Sequence, residues 1–377
     1  MTIPRRLLFS LVTVTIALAG IEAAARLTEP WLAPARSIPL PAPHAPGADP
    51  AAFRPRFERE QAAVRARVPL VRDDRSGWAL PPTTGGPARI EDMGRMSIRI
   101  NTLGIRGPEV PPPEPGEIRL LSLGDSSIFG VMVAERCVLH AQAAADMARA
   151  GIGTVQAFNG GVPGYDSAQS LQMLRRIGPE IRPQWVIIGN LWSDVFRRDD
   201  LQRARQAERI AAPMRALAAW RVGTALLSPW LEGRKVGWID GAGDVGSLDD
   251  GGVPPRMPLA DYLQNLRDLA ALARDLGARP AFLVLPAPMD FDAVPPPETV
   301  RAYRDGMRAV AQELSAPLVD GPAIFLERGG IGWFEDHVHP SQAGHTLLGH
   351  ALARALLAAD PATADRAAAV PWDAQCE

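Results

Sequence analysis

A chain of 377 residues with 40 Lys and Arg against 42 Asp and Glu carries a formal net charge of −2. That balance offers no positive field to nucleic acid, so no nucleic-acid partner is expected. The length suits one large α/β domain with additions, and 37 prolines assign part of the chain to linkers and loops.

Arg5 and Arg6 precede an apolar run over 7–25, close to the roughly 20 residues that cross a bilayer. Positive charge ahead of the run predicts a cytoplasmic N-terminus with the bulk of the chain outside. Residues 1–27 are therefore expected to be a transmembrane anchor, and the membrane a partner through this helix. Ala17-Leu18-Ala19 and Ala23-Ala24-Ala25 also fit the small-residue pattern of a signal-peptidase site. The expected location is membrane-anchored and extracytoplasmic, on the periplasmic face, or secreted if the segment is cut. Prolines recurring through 28–74 predict an extended linker. Within 75–117 the alternation Met96-Ser97-Ile98-Arg99-Ile100-Asn101 predicts a β-ribbon, read as an edge hairpin without a function of its own.

From 118 onward, short apolar runs alternate with helical periods. Strands are predicted over 118–123, 155–158, 185–188, 281–285 and 318–319, with helices over 134–150, 165–177, 259–276, 299–314 and 341–358. Alternation of this kind predicts a three-layer α/β/α sandwich on a parallel five-stranded sheet with flavodoxin-like strand order, over 118–358. Residues 196–258 break the rhythm and are expected to be an inserted lid or partner surface. The Ala-rich tail 359–377 is expected to be disordered. Cys137 and Cys376 could pair in an oxidising compartment, but one falls in a predicted core helix and the other in that tail, so they are expected to stay apart.

The run 118–123 ends in Gly124-Asp125-Ser126. Working residues of an open parallel sheet sit at the carboxyl ends of its strands, which makes Ser126 a candidate nucleophile. A serine hydroxyl needs a base, and the chain supplies one in Asp336-His337-Val338-His339-Pro340-Ser341. Asp336 and His339, three apart, can share a hydrogen bond that fixes the imidazole while its other nitrogen faces the serine. A competing reading makes Asp336 and Ser341 caps of the last helix. Donors for an oxyanion are expected from the backbone of Ser126, from Gly164 in Asn159-Gly160-Gly161-Val162-Pro163-Gly164-Tyr165, and from Ser193 or Asn190 after the third strand. No cluster has metal-ligand spacing, and no cofactor is expected.

These blocks resemble the SGNH hydrolases, the GDSL esterase and lipase family, in the family's order. Gly124-Asp125-Ser126-Ser127 matches the nucleophile block, 159–165 the glycine block, and 336–341 the Asp-x-x-His block. The third block departs from Gly-x-Asn-Asp, with Ser193 standing where the asparagine is usual. The segment 101–107, Asn-x-x-Gly-x-Arg-Gly, resembles that of membrane-anchored bacterial members. The resemblance implies a serine ester hydrolase, of carboxylesterase or O-acetylesterase type, acting on a small-molecule or glycan ester. Two alternatives share the same scaffold: an O-acyltransferase using the same triad, and a non-catalytic binding or assembly protein.

Overall fold

The computed structural model describes residues 5–32, 71–73, 77–80, 82, 88–93, 96–195, 255–335, 337–373 and 376. The chain divides into two compact units, one formed by 1–37 with 198–246 and the other by 38–197 with 247–377.

In the first unit the described element is helix α1, Arg5–Leu32. Glu22 accepts from Arg26 one turn later at 2.8 Å, and Val14, Leu18, Ile21 and Leu27 are each more than half exposed. Among the described residues no helix is long and apolar enough to cross a membrane, so the expected span is not found there. The side chains of 5–12 and 16 lie outside the described set, as do the linker 33–70 and most of the insertion, 196–254.

The second unit opens with two antiparallel pairs, β1 (Val71–Asp73) with β2 (Gly77–Ala79), and β3 (Ala88–Met93) with β4 (Met96–Ile100). The sheet proper follows. After β5 (Ile118–Gly124) come the short helix α2 (Ser126–Phe129) and α3 (Leu139–Arg149); after β6 (Val155–Gly161) comes α4 (Ser167–Ile181). Next are β7 (Trp185–Gly189), the turn of helix α5 (Trp192–Val195), α6 (Leu259–Asp275), β8 (Arg279–Val284) and α7 (Glu298–Glu313). The domain continues with β9 (Leu318–Asp320), α8 (Gly321–Arg328) and α9 (Gln342–Ala358). Strand order is β6-β5-β7-β8-β9, all parallel, the flavodoxin-like order. Helices α3 and α9 pack together, as do α6 with α4 and α7. Both sheet faces are thereby covered, which is why β7 reads as an unbroken apolar run and β5 as a buried one interrupted by Arg119 and Ser122.

Three differences from the sequence expectations have physical causes. The helix expected over 134–150 is a 3-10 turn, Glu135–Cys137, then an extended Val138, then α3; Cys137 and Val138 are fully buried there in one apolar cluster with Val133 and Ala134. Helix α4 runs past Gly178-Pro179 to Ile181, closed by a left-handed Arg182 whose N–H donates to Gly178 O at 2.8 Å. Pro179 removes one bond of the helical ladder, to the carbonyl four residues earlier, and the helix ends within one turn of it. The tail is packed rather than disordered: Val370 is buried, Trp372 lies between the guanidinium groups of Arg328 and Arg354 at 4.4 and 4.8 Å, and Cys376 is bonded to Cys137. The expectation of unpaired cysteines is thus overturned. Cys137 sits in an apolar cluster with Val133, Ala134 and Val138, and Cys376 packs against it.

Candidate active site

β5, β6 and β7 end side by side on three glycines, with Gly124 in register with both Gly161 and Gly189. A Cβ on Gly161 would stand 2.5 Å from Phe129 N, and one on Gly189 would stand 2.5 Å from Ile128 Cδ1. Bare strand ends are what let α2 sit directly on the sheet, with Ile128 in the row. This is a different turn from the Gly-x-Ser-x-Gly elbow, whose second glycine position Ile128 occupies.

Ser126 is the first residue of α2, half-buried, just past the carboxyl end of β5. His339 is buried, and its Nε2 stands 2.7 Å from Ser126 Oγ, 213 residues away in sequence. The histidine loop is closed by a bridge between Phe334 and Pro340, by Glu335 N–H to His339 O at 2.8 Å, and by Ser341 N–H to Trp333 O at 2.8 Å. Ser341 then caps α9 through Gly344 N–H. Asp336 lies outside the described residues. Ser127 Oγ donates to Val338 O at 3.2 Å, so the hydroxyl next to Ser126 is already engaged.

Asp125 holds this arrangement together, a role that sequence reading missed. Its carboxylate is fully buried and accepts from Ser127 N–H at 2.9 Å on one oxygen, and from Trp192 and Ser193 N–H at 3.0 and 3.3 Å on the other. Burial raises its pKa, opposed by these N–H groups and by the charge of His339. The nucleophile turn and the loop after β7 are therefore tied through one side chain.

Of the expected oxyanion donors, Gly164 is partly exposed and has φ +81°, the left-handed region that glycine enters freely. Ser193 is 4% exposed, its N–H on Asp125. Asn190, expected as an alternative donor, is fully buried, and its amide donates to Ser170 Oγ at 2.9 Å. Arg106 is a second residue missed by sequence reading. Its Nη1 donates to Phe129 O and Gly130 O at 2.6 and 2.7 Å, and its Nη2 to Val133 O at 2.6 Å, fastening the far end of α2. The segment after the β3–β4 ribbon is thus part of the support of the nucleophile turn, where an edge without function was expected. The Asn-x-x-Gly-x-Arg-Gly pattern was the available signal. Asn101 Oδ1 accepts from Leu103 and Ile105 N–H and so shapes the loop that delivers Arg106.

Among the described residues no three His, Cys, Asp or Glu side chains gather as a metal site. A nucleophile with an imidazole in contact can attack an acyl carbon without one.

Residues 122–347 match the family described as GDSL-like Lipase/Acylhydrolase. No curated protein matches the chain. Among solved structures, the chain is similar to a lipase/acylhydrolase from Enterococcus faecalis, with 17% identity over 63% of this chain and 94% of that one, at a TM-score of 0.42. It is also similar to an acetylxylan esterase from Geobacillus stearothermophilus, with 19% identity over 63% and 94%, at a TM-score of 0.42.

Proposed function

Because this chain belongs to the GDSL-like lipase/acylhydrolase family, and is thereby a hydrolase acting on esters, we propose that it cleaves O-acyl esters of carbohydrate outside the cytoplasm through Ser126 and His339. The observation that carries this reading is the 2.7 Å approach of His339 Nε2 to Ser126 Oγ at the carboxyl end of β5. His339 takes the hydroxyl proton as Oγ attacks the ester carbonyl carbon. The oxyanion is held by the N–H groups of Ser126 and Gly164, with Ser193 as third donor. Collapse expels the alcohol, which receives its proton from His339. Water, deprotonated by His339, then attacks the acyl-enzyme and releases the acid. Asp336 is assigned to the second imidazole nitrogen by its spacing of three residues.

The carbohydrate is supported by the resemblance of 101–107 to anchored bacterial members, which are associated with cell-surface glycans. The compartment is supported by the Cys137–Cys376 disulfide, since such bonds persist where the surroundings are oxidising. Attachment to a membrane through α1 is supported by the large apolar side chains it leaves in water.

Labelling with a fluorophosphonate tests the reaction. Wild type is expected to be labelled, and Ser126→Ala and His339→Ala are not; a folded wild type that resists labelling sinks the reading. Hydrolysis of an acetylated oligosaccharide, with and without an acceptor sugar, separates release of acetate from transfer. Acetate released in step with ester consumed is the expected result.

A further inference from the structure

We propose that Arg256 is a positioning residue for the Gly164 N–H, an inference that rests on the esterase reaction proposed above. Val162-Pro163-Gly164-Tyr165 forms a turn closed by Tyr165 N–H to Val162 O at 3.0 Å. Proline at its second place and a glycine of φ +81° at its third are the type II pattern. The carbonyl of Gly164 accepts from Arg256 Nη1 at 2.8 Å. The Gly164–Tyr165 peptide is therefore held from both sides, its N–H by Val162 and its C=O by Arg256. The ring of Pro163 removes one further torsion. With that peptide held and the turn closed, the bonds that aim the Gly164 N–H have little freedom left.

Arg256 itself is rigidly seated. Its side chain is 9% exposed, and Nη2 reaches Asp166 Oδ2 at 2.6 Å and Gln169 Oε1 at 2.7 Å. Those two residues cap α4 reciprocally: Asp166 Oδ1 accepts from Gln169 N–H at 2.9 Å, and Gln169 Oε1 from Asp166 N–H at 3.0 Å. The guanidinium thus transfers the rigidity of a helix start to the glycine turn. The next residue ties in the other oxyanion loop, because Met257 N–H donates to Asp194 O at 3.0 Å, beside Ser193, and Tyr303 OH donates to Met257 O. Arg256-Met257 is a strap across the loops that carry Gly164 and Ser193, and it fixes their spacing. A lysine at 256 could keep the ion pair with Asp166 but has no planar fork to serve Gly164 O at the same time.

The test is steady-state hydrolysis of p-nitrophenyl acetate by the full chain, comparing wild type, Arg256→Lys, Arg256→Ala and Ser126→Ala, with thermal melts alongside. Deleting an oxyanion donor outright costs about 10²–10³-fold in kcat, so a displaced one is expected to cost about 10–100-fold, with KM little changed. Arg256→Lys is expected to melt close to wild type while losing kcat, and added guanidinium ion to restore part of the kcat of Arg256→Ala alone. Wild-type kcat in Arg256→Lys, or losses confined to KM or to melting temperature, would overturn the proposal and leave the Ser126-dependent reaction standing. Hydrolysis that Ser126→Ala does not abolish overturns both.

Discussion

Asp125 shows how one side chain can join two loops. Its carboxylate accepts from three backbone N–H groups, one beside the nucleophile and two at the start of α5. Asp125→Asn offers one acceptor atom in place of two and leaves a buried N–H unpaired, at about 1–3 kcal/mol. Lower stability in urea, together with slower fluorophosphonate labelling, is the expected outcome. Buried titrating groups near the site set the pH response. Burial, with the charge of Arg106, pushes His140 down to about 3, and burial with the charges of His140, Arg106 and His339 does the same to His345. Both are neutral when folded, so their contribution is whole above the ordinary value of 6.5 and is lost as pH falls toward 3, by at most about 1.4 kcal/mol per pH unit for each histidine. Asp194 has the opposite sign. Burial raises it to about 8, helped by Asp166 and Asp125 and opposed by Ser167, so its contribution is present below the ordinary 3.8 and is lost as pH rises through 8. Urea titrations from pH 4 to 9 should show His345→Gln flattening the acid loss and Asp194→Asn removing the loss toward alkaline pH.

Elements meet here through what their side chains leave out. The row Gly124, Gly161 and Gly189 admits α2 onto the strand ends. An added methyl at 161 meets a backbone nitrogen, which cannot move away, whereas at 189 it meets the end of a flexible isoleucine. Gly161→Ala is therefore expected to be the more harmful of the two, with overpacking of about 1–3 kcal/mol and lost labelling of Ser126; Gly189→Ala should keep more of both. Denaturation midpoints and labelling rates on the pair check this. Arg106 works at the same scale, replacing three carbonyl partners that α2 is too short to supply. Arg106→Met fills similar space without donors and is expected to reduce both stability and kcat. The strands were legible from their short, mainly apolar runs, because a parallel strand covered on both faces is mostly apolar. The break at Val138 was not, since 137 and 138 are buried in an apolar cluster that Cys376, 239 residues after Cys137, completes.

In the hydrolase unit the chain is closed by its own end. Cys376 returns to Cys137 across 239 residues of sequence, Gln342 Nε2 donates to Cys376 O at 3.3 Å, and Trp372 is held between two arginines. Cys376→Ser is expected to lower stability by about 2–4 kcal/mol, as loss of a long-range disulfide does, and a reductant should affect wild type but not the variant. Migration on non-reducing gels checks the bond directly. Expression with α1 deleted tests the location: the enzyme should leave the membrane fraction and keep its activity on a soluble ester.

What the sequence determined by itself was the alternation of strand and helix and the candidacy of Ser126 and His339, which the structure brings to 2.7 Å, because apolar period and turn composition are local properties readable along the chain. Asp336 is proposed beside them on spacing alone. Only the tertiary structure decided which groups meet: Asp125 with the loop after β7, Arg106 with the end of α2, Asn190 with Ser170, Cys137 with Cys376, and Arg256 with Gly164. Each of those pairs is separated by 20 to 239 residues. No spacing along a chain encodes such meetings. They follow from how helices pack on a twisted sheet, where a buried donor takes whichever acceptor the packing brings within reach.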